Sequence, residues 1–250
     1  MIKISPGKSK TALVTGGVRR LGKKISFHLA KSGYNLIVNY NSTKKSEVDK
    51  FLKEINKLGV KVIAVKADIS NENEVKMMFR KVMKEFGNLD LLINNASVFA
   101  SVDFFDINEK IIDNFLGINI KGTLFCSKEA AKIMQTSKNK FCRIINIASL
   151  GAFLNWSASI PYSVSKAGVV KLTKLMANRL APKILVNAIA PGTINIDNDQ
   201  NPDSKELIKY PMKRFASDED IISIIDYLTT YNTYITGQVF IVDGGRTLIN

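Results

Sequence analysis

Short aliphatic runs alternate with longer amphipathic stretches along the whole chain, and this alternation constrains the fold more than any other feature of the sequence. The runs "TALVTG", "NLIVNY", "VKVIAVKAD", "LDLLINNA", "CRIINIAS", "ILVNAIAPG" and "QVFIVDGG" have the length and near-continuous apolar character of strands buried on both faces of a parallel sheet. Between them, apolar residues recur at helical spacing over about 20 to 32, 43 to 58, 72 to 86, 109 to 135, 162 to 180 and 217 to 230. Seven strands joined by right-handed helical crossovers predict an α/β, doubly wound domain: a seven-stranded parallel sheet with helices on both faces. The ligand crevice of such a sheet lies outside the carboxyl ends of its strands. Those ends carry Gly16, Tyr40 with Asn41, Asp68, Asn94 with Asn95, Ser149, and Pro191 with Gly192, which are expected to converge on one site. No internal repeat or linker is visible, so a single domain over 1–250 is expected. The one polar stretch without periodicity, residues 193 to 206 and on to about 210, is the expected substrate-binding loop or lid.

The balance of 36 Lys+Arg against 22 Asp+Glu gives a formal charge of +14, which invites a nucleic-acid reading. The lysines, however, are interleaved with acids along the helical stretches, with no aromatic-studded basic stripe. A solvated surface is expected, with no nucleic-acid partner. Cys126 and Cys142 lie in apolar stretches without CxxC spacing, which points to reduced, buried thiols and a cytoplasmic protein. No apolar run reaches 18 residues and the first ten residues lack the apolar core of a signal peptide, so no membrane segment is expected. The single histidine, His28, falls inside the first helical stretch; no metal site of the His/Cys type is expected.

The stretch "TGGVRRLG" follows a strand and opens a helix, the setting in which a glycine-rich turn binds a dinucleotide pyrophosphate. Gly16 suits the sharp turn and Gly22 is expected to let the helix close on the sheet, while the helix N-terminus offers free N–H groups to an anion. Lys23 and Lys24 stand in the first turn, where the helix dipole disfavours cations unless an anion is bound. Arg20 occupies the position of a usual middle glycine and is expected to stay out of the turn, its side chain projecting over the cofactor. The acid that normally holds the ribose hydroxyls at the end of the second strand is absent: Tyr40, Asn41, Ser42, Thr43 and Lys44 stand there, which points to the 2'-phosphorylated cofactor NADP(H) or, more plainly, to a polar turn.

Tyr162 and Lys166 in "YSVSK" are one helical turn apart and share a face. An ammonium beside a phenol stabilises the phenolate, so Lys166 is expected to lower the Tyr162 pKa and make it a usable general acid.

Taken together these motifs resemble the short-chain dehydrogenase/reductase family, a Rossmann-type family, across essentially the full chain. "NNAS" at 94 to 97, "INIKG" around Asn119, Ser149 thirteen residues before Tyr162, Pro191-Gly192 and "YITGQVFIVDGG" are similar to the family's motifs in their order. The resemblance implies a catalytic set of Asn119, Ser149, Tyr162 and Lys166, with Asn119 holding a water that links the lysine to solvent. It implies cofactor contacts from Gly16, Arg20, Leu21, Gly22, Tyr40 to Thr43, Asp68, Ile69, Asn95, Ala96, Tyr162, Lys166, Pro191 and Gly192. It also implies a homotetramer or dimer, with the helices carrying Asn119 and Tyr162 in one interface and the last strand in another.

Arg20 in TGxxxRxG, Ser97 in place of glycine, and Phe99 are similar to the pteridine and dihydromonapterin reductase branch, which implies substrate contacts from Ser97, Phe99 and Arg20. That branch places an aspartate where this chain keeps Ser149. The 3-oxoacyl-[acyl-carrier-protein] reductases share the four catalytic positions, and an acidic carrier protein is then a possible partner. A catalytically silent NADP-binding regulator is the alternative of another class, and it would be free to lose Tyr162, Lys166 or Ser149.

Overall fold

A computed structural model describes residues 10–197 and 204–249. The seven expected strands all form: β1 (Thr11–Val14), β2 (Asn35–Tyr40), β3 (Val62–Lys66), β4 (Leu91–Asn94), β5 (Cys142–Ile147), β6 (Ile184–Pro191) and β7 (Val239–Val242). They make one parallel sheet in the order β3-β2-β1-β4-β5-β6-β7. The order reverses between β1 and β4, which sets the switch point of the doubly wound sheet at their carboxyl ends. The crossovers are α1 (Arg20–Lys31), α2 (Lys45–Asn56), α3 (Glu72–Phe86), α4 (Glu109–Leu116) with α5 (Thr123–Gln135), α6 (Ile160–Leu180), and the short α7 (Ser204–Leu207) with α8 (Asp218–Thr230).

Successive strand residues point to opposite faces, so each strand feeds two cores. Val14, Val38, Ile93 and Ile145 pack with Ile25 of α1, Phe51 of α2 and Ile225 of α8. Leu13, Ile37, Leu92 and Ile144 pack on the other face with Met78 of α3, Met134 of α5 and Met176 of α6. Cys126 and Cys142 are free thiols buried in this second layer, and burial pushes both away from the thiolate form. No helix among the described residues is long and apolar enough to cross a membrane.

The stretch 109 to 135 departs from the expected single α-helix: a π-helical turn, Gly117–Gly122, interrupts it. The wider turn carries the chain past the loop after β3, where a Cβ on Gly122 would lie 2.6 Å from Ile69. It also buries Asn119. α6 begins before Tyr162, with Pro161 in its first turn, where a missing N–H costs no hydrogen bond.

Of the expected loop at 193 to 210, residues 198–203 lie outside the described residues. Its two stems are joined: Ile194 pairs with Ala216, and the Thr193 and Tyr210 hydroxyls hydrogen-bond over 2.8 Å.

Candidate active site

The turn after β1 is built from backbone that only small residues allow. Gly16 has φ +60°, and a Cβ on Gly22 would overlap the Gly16 carbonyl oxygen and approach the Asn95 amide to 2.6 Å. Gly22 therefore permits the start of the helix to close against the turn after β1 and the end of β4. Arg20 does enter the turn, contrary to expectation. Its φ is +47°, a left-handed conformation that glycine adopts at no steric cost, and its exposed side chain lines the cleft.

The N-terminus of α1 has no capping side chain and no acid in its first turn, an end that suits the approach of an anion. Lys23 and Lys24 do not wait on that anion. Lys23 pairs with Glu54 at 3.1 Å; Lys24 pairs with Asp197 and stands 3.6 Å from Asp218.

Reciprocal hydrogen bonds lock this turn to the end of β4. Thr15 Oγ1 accepts from the Asn95 and Ala96 amides at 2.9 and 3.0 Å, and Asn95 Nδ2 donates to the Thr15 carbonyl at 2.9 Å. Asn39, a residue the sequence reading passed over, ties in β2 and β3: its carbonyl accepts from Gly17 N at 3.0 Å, and its Nδ2 donates to the Ala67 carbonyl at 2.9 Å. The available signal was a polar residue inside the apolar run "NLIVNY". Asp68 spends one carboxylate oxygen on Ser70, from whose amide and hydroxyl it accepts at 2.9 and 2.7 Å. Tyr40, Asn41, Ser42 and Thr43 line the cleft near it, as does Arg19, also unremarked in the sequence.

Ser149 and Lys166 are buried and line the cleft with Tyr162. The Ser149 hydroxyl oxygen accepts from Gly151 N at 3.1 Å, which leaves its own proton to donate elsewhere. Burial raises the Tyr162 pKa, and the neighbouring Ser149 pulls the other way. Lys166 does not act as expected on that phenol. Its Nζ donates to the Ile147 carbonyl at 2.8 Å and lies 5.7 Å from the centre of the Tyr162 ring, while burial lowers its own pKa to about 7. A cation this poorly solvated is partly neutral at pH 7, and its field on the phenol weakens accordingly.

Asn119 does not line the cleft, and neither does Asn94, whose buried Nδ2 donates to Ser127 Oγ and Asn146 Oδ1. Asn119 is held by four hydrogen bonds. The Asn119 Oδ1 accepts from Ser97 Oγ at 3.0 Å and Val98 N at 2.9 Å; its Nδ2 donates to the Val98 carbonyl at 3.1 Å and Ser165 Oγ at 2.8 Å. Ser165 in turn donates to the Tyr162 carbonyl at 2.7 Å. The Asn119 side chain is thus committed to protein partners. Ser97 spends its hydroxyl on Asn119, while Phe99 is 61% exposed with its ring edge-on to Tyr162, centroids 4.8 Å apart.

The remaining expected residues, Leu21, Ile69, Ala96, Pro191 and Gly192, line the same cleft of about 850 Å³. A switch-point cleft with an anion-accepting helix end and a Ser-Tyr-Lys group defines a class, the dinucleotide-dependent oxidoreductases. The chain belongs to the short-chain dehydrogenase family, whose sequence profile matches residues 10–207. It is 36% identical over 243 residues to a 3-oxoacyl-[acyl-carrier-protein] reductase of Staphylococcus epidermidis, covering 95% of this chain and 98% of that one. Glucose 1-dehydrogenase 2 of Bacillus subtilis is 34% identical over 248 residues, covering 96% and 95%. Among solved structures, a short-chain dehydrogenase/reductase from Serratia marcescens superposes with a TM-score of 0.88 at 30% identity, covering 97% and 100% of the two chains. The first two differ in the substrates their names give, and none of the three is named a pteridine reductase.

Proposed function

We propose that the protein is an NADPH-dependent reductase that converts a carbonyl to an alcohol. The observation that carries this reading is the Ser149 hydroxyl, held as acceptor by Gly151 N and so left to donate, beside a Tyr162 phenol kept in its acid form by burial. The cleft suits the cofactor chemically. The uncapped end of α1 suits a pyrophosphate, and the end of β2 offers the Ser42 and Thr43 hydroxyls and the Asn41 amide, while Arg19, in the turn before α1, lines the same cleft and stands 3.8 Å from Glu47.

When bound, NADPH supplies the hydride that reduces the carbonyl carbon. Ser149 donates a hydrogen bond to the substrate oxygen, and Tyr162 gives its phenolic proton to that oxygen as negative charge develops on it. Lys166, with a pKa near neutrality, returns a proton toward the phenolate. Asn119 is a positioning residue: through Ser165 it fixes the backbone of Tyr162, and through Val98 it fixes the facing loop.

Two substrate readings stand. The full-length relatives named 3-oxoacyl-[acyl-carrier-protein] reductase support a 3-oxoacyl thioester, and the charge of +14 suits an acidic carrier. The exposed Phe99 ring against Tyr162 favours a flat pteridine. NADPH oxidation with a 3-oxoacyl thioester and a dihydropterin, run side by side, tests the reading; turnover of neither would remove it. Exposed Leu124, Val164 and Leu175 on α5 and α6, with Ile241 and Leu248 near the C-terminus, support an oligomer that covers both faces.

A further inference from the structure

We propose that Trp156, seated on Gly151, is the specificity wall of the substrate end of the cleft and selects flat, conjugated carbonyl compounds over flexible acyl chains. The proposal rests on the reductase reading and deepens it toward one substrate class.

Trp156 is the only tryptophan in the chain, and it lines the cleft together with Ser149, Tyr162 and Phe99. Its loop is pinned on both sides: Trp156 N donates to the Leu154 carbonyl and Ser159 N donates to the Trp156 carbonyl, each at 3.0 Å. Its ring rests on the turn that follows Ser149. A Cβ on Gly151 would lie 2.9 Å from Trp156 Cε3 and 3.1 Å from Cζ3, so only glycine lets the indole settle there. The facing loop is tied to this one by Val102 N donating to the Ala158 carbonyl at 2.9 Å, and it carries Phe99 edge-on to Tyr162.

Two aromatic side chains from two joined loops thus flank the phenol and hydroxyl that face the substrate. Their rings reward a flat π-system through offset or edge-to-face stacking. A flexible chain at the same wall gains only dispersion and loses rotamer freedom on confinement.

Because Trp156 is the sole indole, its emission reports on this wall alone. The full chain, held with NADP⁺ so that no reduction occurs, is titrated with 2-acetonaphthone and separately with S-acetoacetyl-N-acetylcysteamine, with free tryptophan as the absorbance control. Saturable quenching by the bicyclic ketone and none by the linear thioester is expected. In turnover, Trp156→Ala and Gly151→Ala should each lose at least about tenfold more kcat/KM toward the flat ketone than toward the thioester. Trp156→Phe, which keeps a ring, should recover most of that preference. Equal losses on both substrates, or the absence of saturable quenching, would overturn the proposal. Saturable quenching without turnover of either compound would sink the reductase reading and leave the wall standing. Turnover without quenching would do the reverse.

Discussion

Lys166 Nζ donates to the Ile147 carbonyl oxygen over 2.8 Å, joining the second turn of α6 to the last residue of β5 from a buried position. The bond satisfies one of three donors on a cation that has left water behind, and burial lowers its pKa from 10.5 to about 7. The site holds a group that works against the stability of the fold.

Replacing that group should therefore stabilise the protein while disabling it. Between pH 7 and pH 10.5 the unfolded chain carries a proton on Lys166 that the folded chain has shed, so this residue's penalty is full below pH 7 and relieved as pH rises. Lys166→Met should exceed the parent in urea unfolding by about 1–3 kcal/mol at neutral pH, with the gap narrowing in alkali. A variant no more stable than the parent at neutral pH would contradict the assignment of a desolvated cation.

Asn119→Ala should behave in the opposite way. It removes a buried side chain that makes four hydrogen bonds between the loop after β4 and α6. A loss of about 2–3 kcal/mol in thermal or urea unfolding is expected, because partners such as Val98 N and Ser165 Oγ lose their acceptor or donor. The kcat should fall as well, since Ser165 no longer braces Tyr162. A stability change within about 0.5 kcal/mol would show that the clamp is not rigid.

Arg20→Gly separates recognition from strain. The native φ of +47° costs an arginine what it does not cost a glycine, so the unfolding midpoint should stay level or rise, against a general expectation of loss for glycine in a first helical turn. NADPH affinity, read by calorimetry, should weaken. Unchanged affinity would make Arg20 a surface cation that happens to occupy the turn.

Which parts of this were readable in the chain follows from how local their causes are. The strands came from runs such as "ILVNAIAPG", whose apolar continuity is itself the requirement for burial on both faces, and the site's position followed from where those runs end. Arg20 and Lys166 were named but misread, and the protein partners of Asn119 were not foreseen. The turn conformation of Arg20, the distance of the Lys166 ammonium from the phenol and the saturation of the Asn119 amide depend on contacts with β4, β5 and α6, which no local spacing encodes. The π-turn at Gly117–Gly122 was invisible because the close approach it makes, Gly122 against Ile69, is to a residue about fifty positions away in the chain.

Ser149→Ala carries a pH signature that a simple packing defect would not. Ser149 is the neighbour that draws the Tyr162 pKa down against burial, so its removal should move the alkaline fall of kcat/KM to higher pH. The rate itself should drop about 100-fold, as the loss of a donor to developing oxygen charge does. An alkaline limb that stays put would separate Ser149 from Tyr162.

Tyr162→Phe tests the central claim most directly, with two readings on one protein: NADPH oxidation on a reducible carbonyl substrate and NADPH binding by calorimetry. The substitution removes one oxygen from a ring that lines the cleft with Ser149 and Lys166. Turnover should fall by at least about 100-fold while NADPH affinity stays within about twofold. Turnover retained near the parent rate would contradict the assignment of Tyr162 as the proton donor and, with it, the mechanism built on this cleft.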